Sequence, residues 1–246
     1  MQNHPLFQRM FADYQDILRA HGETIISSAV ASCLNADTAR LVLPEPGRYR
    51  NNCFGRIQAI MSAGDKIDLT KKFLKFNCDP AVANVVEWGE YHFSYSIIIL
   101  NSLLDLTLLA INEVLRLGFP EHGCKYKTVA ENSWTKTYGV LEDLQNLSNA
   151  TNKFRRDRNK FLHQHKDINI GRLTGSESYG LIKVTYLSGQ KVETKIDPSI
   201  INGALAEEIE DMYKFIETEK RELFKCIEDV ATRLIPAYNS FREPRL

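Results

Sequence analysis

The segment from Lys153 to Lys166 reads Lys-Phe-Arg-Arg-Asp-Arg-Asn-Lys-Phe-Leu-His-Gln-His-Lys, and eight of these fourteen residues are Lys, Arg or His. The whole chain balances 31 Lys+Arg against 31 Asp+Glu. The positive charge of this stretch is therefore a local concentration in a neutral protein, and such a patch can hold phosphates. Within it stand Arg158, Asn159 and His163. An arginine is permanently charged and planar, so it can grip two phosphoryl oxygens and offset charge that grows on them. A histidine near its ordinary pKa takes or gives a proton at neutral pH. Asn159 can orient the phosphate or hold the imidazole. His165, two residues further on, is the second choice for the proton-transfer role. Lys153, Arg155, Arg156, Lys160 and Lys166 flank these groups as candidates for contact with a phosphate backbone. The His163-Gln-His165-Lys-Asp167 run has no further ligand cluster behind its His-x-His spacing, and no metal site is assigned there.

These groups need a scaffold, and the sequence points to helices. The chain has 246 residues, 43% hydrophobic and 25% charged, with only 13 Gly and 8 Pro. Those are ordinary globular values, poor in turn residues, so the expected class is mainly α. Net neutrality excludes a surface coated in basic charge for bulk nucleic-acid binding. Five scattered Cys with no CxxC pair fit reduced thiols acting as small apolar fillers in a cytoplasmic protein. The polar start of the chain is unlike a signal peptide. The most apolar stretch, 97–117, is interrupted by Asn101, Asp105, Asn112, Glu113 and Arg116, which predicts a buried helix rather than a membrane span.

Apolar spacing predicts a helix over 5–20, a turn at Pro44-Glu-Pro46-Gly47 and a short helix over 51–62. Asp79-Pro80 suits the start of a long helix that stops at Gly118-Phe-Pro120, with Gly89 a possible break. Along it Ser94, Asn101, Asp105 and Asn112 form a polar seam, in which Asn101 and Asp105 could support a site. One amphipathic helix is expected over 134–147 and another from the capping-rich 148–152 to about His165. Trp88 and Trp134 read as core aromatics. Residues 181–187 and 192–196 flank Ser188-Gly189 as a β-hairpin. Asp197-Pro198 then opens a last helix that Pro236 stops. The expected architecture is a helical bundle with a small hairpin, near 175–196, inserted before the last helix. In domain terms, 1–78 is a mostly helical extension and 79–246 is the bundle.

The motif Arg158-Asn159-Lys160-Phe161-Leu162-His163, set late in a helical bundle, resembles the signature of the HEPN superfamily: an Arg, a neighbouring polar residue, and a His after four to six intervening residues. The resemblance implies an all-helical fold working as a homodimer. It also implies a metal-independent endoribonuclease without cofactor, leaving a 2′,3′-cyclic phosphate and a 5′-OH. Arg158 would stabilise phosphoryl charge, His163 would act as acid and base, and Asn159 would orient. Such proteins serve as toxins or defence effectors, some with an antitoxin partner, so RNA, a second copy and an antitoxin are the implied partners. Other members are non-catalytic, which leaves a nucleotide- or RNA-binding or dimerising module as the alternative. Geometry adds a constraint. Residues five apart on one helix point about 140° from each other, so Arg158 and His163 do not share a stripe. Arg158 falls instead between Phe154 and Phe161 on the face expected to be buried, where it needs a partner. Either a second copy completes a symmetric cleft, or His165 is the functional histidine.

Overall fold

The computed structural model describes residues 1–34, 43, 45, 47–75, 85–164 and 198–243; the side chains of 24–34, 85, 160, 161, 163, 164, 198, 199 and 201 lie outside that description. Among the described residues every regular element is a helix. The α-helices are α1 (Pro5–Leu34), α2 (Gly47–Leu74), α3 (Val85–Val114), α4 (Tyr126–Glu131), α5 (Ser133–Thr137), α6 (Leu141–Gln164) and α7 (Pro198–Phe241), with a single 3₁₀ turn at Glu121–Gly123. The expected hairpin near 175–196 and the Asp79-Pro80 start lie outside the described residues.

Three boundaries correct the sequence reading. The short helix expected over 51–62 is the middle of α2, a 28-residue helix. Tyr49, Cys53, Ile57, Ile60, Ala63, Ile67, Thr70 and Leu74 are all buried along it, at spacings of three and four. The break expected at 148–152 does not occur. The chain turns instead at Gly139 (φ 68°), where Gly139 N–H donates to Lys136 O and Val140 N–H to Thr135 O, a glycine-centred helix stop. Inside α6 the Thr151 hydroxyl bonds back to the Ser148 carbonyl at 3.0 Å. Pro236 does not end the last helix, which runs on to Phe241. Gly89 leaves α3 unbroken.

α3 does stop where expected, though through Arg116 as much as Gly118. Arg116 N–H donates to Glu113 O and Leu117 N–H to Asn112 O, and Arg116 holds the left-handed position (φ 50°) that usually goes to glycine. Its guanidinium lies 4.3 Å from the centre of the Tyr49 ring and hydrogen-bonds the Phe241 carbonyl at 3.2 Å, which offsets the backbone cost of about 1 kcal/mol. α3 is long and apolar enough to cross a membrane by length and composition. Ile97, Leu100, Leu103, Leu108, Ile111 and Val114 are nevertheless buried, so it is the core helix expected of residues 97–117.

The chain divides into two compact units. One comprises Met1–Met61, Leu104–Leu147 and Phe224–Leu246; the other comprises Ser62–Leu103 and Ser148–Leu223. In the first, α1 joins the end of α7. Asp13 accepts hydrogen bonds from Tyr238 Oη (2.7 Å) and Arg242 Nη1 (3.0 Å), over a core that includes Met10, Tyr49, Ile57 and Leu144. Trp134, expected in the core, is 46% exposed and stacks on Tyr138. The second unit packs the rings of Phe93 and Phe154 on Phe215, among buried Ile97, Leu100, Met212 and Ile216. Ion pairs tie α2 to α7 within it: Lys71 to Glu217, Lys220 to Asp68 (2.6 Å) and Lys75 to Glu210 (2.9 Å).

Candidate functional site

The basic motif lies on the C-terminal half of α6, inside the second unit. Phe154 is fully buried and fixes which face of α6 meets the core. Arg158, about one turn further on, is half-buried on the flank of that face. The partner it requires is Asn101 of α3: Arg158 Nη1 donates to Asn101 Oδ1 at 3.1 Å. Asn101 is itself buried, and its Nδ2 donates to the backbone carbonyl of Thr151 at 3.3 Å. A carbonyl can only accept, so this second bond sets the amide orientation and leaves Oδ1 facing the guanidinium. Thr151 and Arg158 are seven residues apart, two turns along one face of α6. A single buried amide thus bridges both and aims the arginine.

The polar seam predicted on α3 divides. Asn101 joins the motif, and Ser94 is buried. Asn112 works at the helix end, donating to Phe119 O (2.9 Å) and accepting from Phe119 N–H (3.0 Å). Asp105 is exposed and belongs to the first compact unit.

The remaining candidates are placed unevenly. Asn159, Arg155 and Arg156 are exposed on α6. Lys153 is engaged by acids of α7, paired with Glu219 and at 3.7 Å from Glu222, so it is not idle cationic charge waiting for phosphate. Lys160 and His163 lie in α6 by their backbone, with side chains outside the description, and His165 and Lys166 fall outside the described residues. His163 follows Arg158 by about 7.5 Å of helix rise and about 140° of turn. Sequence reasoning did not find the Thr151 carbonyl. Its signal was the seven-residue spacing to Arg158 in the middle of a helix, hidden by reading 148–152 as a cap.

A late-helix Arg-Asn-x3-His motif, its arginine anchored by an amide from the core helix of a helical bundle, defines a protein of the HEPN class. Residues 76–231 match the HEPN_Cthe2314-like HEPN family, and the chain belongs to that family. No curated relative and no solved structure matches the chain.

Proposed function

We propose that this protein is a metal-independent endoribonuclease of HEPN type. The observation that carries the reading is the Arg158–Asn101 hydrogen bond within the family-matched stretch. Among the described residues the half-buried guanidinium is held by a neutral amide, which leaves its charge available to an incoming anion. In the proposed reaction the ribose 2′-oxygen attacks the adjacent phosphorus and the P–O5′ bond breaks. His163 accepts the 2′-OH proton, and the same residue of a second copy of the chain protonates the departing 5′-oxygen. The products are a 2′,3′-cyclic phosphate and a 5′-OH. Arg158 offsets the charge on the phosphoryl oxygens, Asn159 orients the group, and His165 is the alternative acid/base. Arg155 and Arg156, with Lys160 and Lys166, take the flanking backbone. Lys153, already paired on α7, contributes least. A role as a cytoplasmic toxin or defence effector with an antitoxin partner belongs to the same reading.

The test is incubation of purified protein with mixed RNA in EDTA, beside Arg158→Ala, His163→Ala and Asn101→Ala. Cleavage that persists in EDTA and falls by about a hundredfold or more in the first two variants is expected. Asn101→Ala should lower kcat while leaving KM nearly unchanged, since it positions Arg158 without touching RNA. RNA retention with no cleavage by the unaltered protein overturns the enzyme reading in favour of a binding module.

A further inference from the structure

We propose that Tyr91 and Tyr95 of α3 form a stacking platform for the bases of single-stranded RNA beside the Arg158 site, an inference that rests on the reading of that site as an RNA site. The two rings stand one helical turn apart and are 62% and 37% exposed, unusual for large aromatic groups on a core helix. Their planes are parallel within 3° and their centroids 6.5 Å apart. A closely stacked pair has centroids nearer about 4.5 Å, so these rings leave face area open. Bases in a stacked strand are also parallel to one another, and every base has a face that stacks on an aromatic ring.

The platform is braced from below. The His92 ring meets Tyr91 edge-on at 5.2 Å, lies 4.4 Å from Trp88 and stacks on Phe73 at 5.1 Å. Trp88 Nε1 is tied to the Phe73 carbonyl at 2.8 Å. Tyr91 therefore rises from a packed aromatic cluster and loses little freedom when a base covers it.

Its place in the fold couples it to the motif. α3 leaves the second compact unit at Leu103 and α6 enters it at Ser148, so the two helices run in opposite senses within the unit. Asn101 meets Thr151. Counting from that pair at about 1.5 Å per residue, Tyr95 and Tyr91 lie about 9 and 15 Å along α3, and Arg158 about 10 Å along α6 in the same direction. The rings thus lie at about the level of Arg158 along the helix axes, on a face of α3 turned about 80–120° from Asn101, where a strand leaving that arginine can pass over them. The neutral tyrosines add affinity without adding to the basic patch.

The test measures binding of a short single-stranded RNA, 2′-O-methylated throughout so that it lacks the nucleophile and survives. Tyr91→Ala/Tyr95→Ala is expected to weaken binding about tenfold or more. Tyr91→Phe/Tyr95→Phe should bind as the unaltered protein does, and Phe11→Ala, an exposed aromatic change on α1, should also have no effect. A duplex of the same sequence, whose bases are already stacked, should be held equally by all four proteins. Equal single-strand binding by the double alanine variant overturns the inference, as does absence of binding by the unaltered protein. So does sedimentation showing that this variant falls from dimer to monomer, which would make the rings an interface between copies. The catalytic reading is judged separately on unmodified RNA: tyrosine-dependent binding with no cleavage keeps the platform and loses the nuclease, and cleavage indifferent to the tyrosines does the reverse.

Discussion

Half-buried His4 and buried His92 are imidazoles that resist protonation. Burial pulls His4 below its usual 6.5 despite Glu228, which favours the charged form. Its Nδ1 accepts the Leu6 amide at the start of α1, so the neutral ring must carry its proton on Nε2, facing Thr232 Oγ1 at 3.0 Å. His92 is only 7% exposed, is surrounded by Phe73, Trp88 and Tyr91, and has no hydrogen-bond partner at either nitrogen among the described residues. Burial alone lowers its pKa. Unfolded, both rings take up protons near 6.5; folded, they do so only at lower pH. Their stabilisation is complete above about 6.5 and is lost as pH falls from there toward the depressed folded values, by at most about 1.4 kcal/mol per pH unit for each. His92→Phe keeps the aromatic packing and removes one of the two. Urea melts of this variant at about pH 7.5 and about pH 5 should show a smaller acid loss than the unaltered protein; equal losses would mean that His92 titrates normally. At this scale the site was partly legible. A buried polar residue on an apolar helix and an arginine on a buried face each announced a missing partner, and Asn101 and Arg158 supply one another. The exposed Tyr91 and Tyr95 gave no such signal, because aromatic residues on an apolar helix read as core.

Helices were legible where apolar residues were large, and illegible where small or polar groups filled the buried positions. α2 buries Cys53, Ala63, Thr70 and Lys71 among its isoleucines, and this mixed face resembles a loop in composition while keeping helical spacing. Local punctuation misled in two places. Gly139 outranked the Ser/Thr/Asn cluster at 148–152 because only glycine enters the left-handed turn at little cost. Pro236 was overruled by its neighbours: Ala237, Tyr238 and Phe241 are buried, and Asp13 holds Tyr238 and Arg242. That packing carries α7 through a residue that lacks an amide donor and crowds the preceding turn. Pro236 itself is exposed. Pro236→Ala restores the donor without disturbing the core and is expected to stabilise the protein by about 1–3 kcal/mol, read as a higher urea midpoint with unchanged slope. A lower midpoint would show that the proline geometry, not the packing beyond it, sets the direction of the last turn.

At the scale of the molecule, chain order and compactness diverge. α2, α3, α6 and α7 each begin in one compact unit and continue into the other, so neither unit is a contiguous stretch. The family-matched residues 76–231 hold the second unit's portions of α3, α6 and α7 but omit α1, all of α2 and the end of α7. The first unit would then lose Leu6, Met10, Tyr49, Cys53, Ile57, Ile60 and Tyr238 from its core and leave Ile111, Val129, Val140 and Leu144 without them. It would also lose the Tyr49 hydroxyl that satisfies the Val114 carbonyl at 2.9 Å. The second unit would lose the Lys71–Glu217 and Lys220–Asp68 pairs, leaving acids and lysines of α7 without partners from α2. Each buried aliphatic or aromatic side chain removed forfeits about 1.5–3 kcal/mol, against a total stability of about 5–15 kcal/mol for a domain. A fragment spanning 76–231 is therefore expected to keep helical circular dichroism yet bind a hydrophobic dye and melt without a cooperative transition, while the full chain melts sharply. A sharp urea transition and dispersed amide resonances from that fragment would show instead that the matched stretch carries a self-sufficient core and that α1 and α2 merely decorate it.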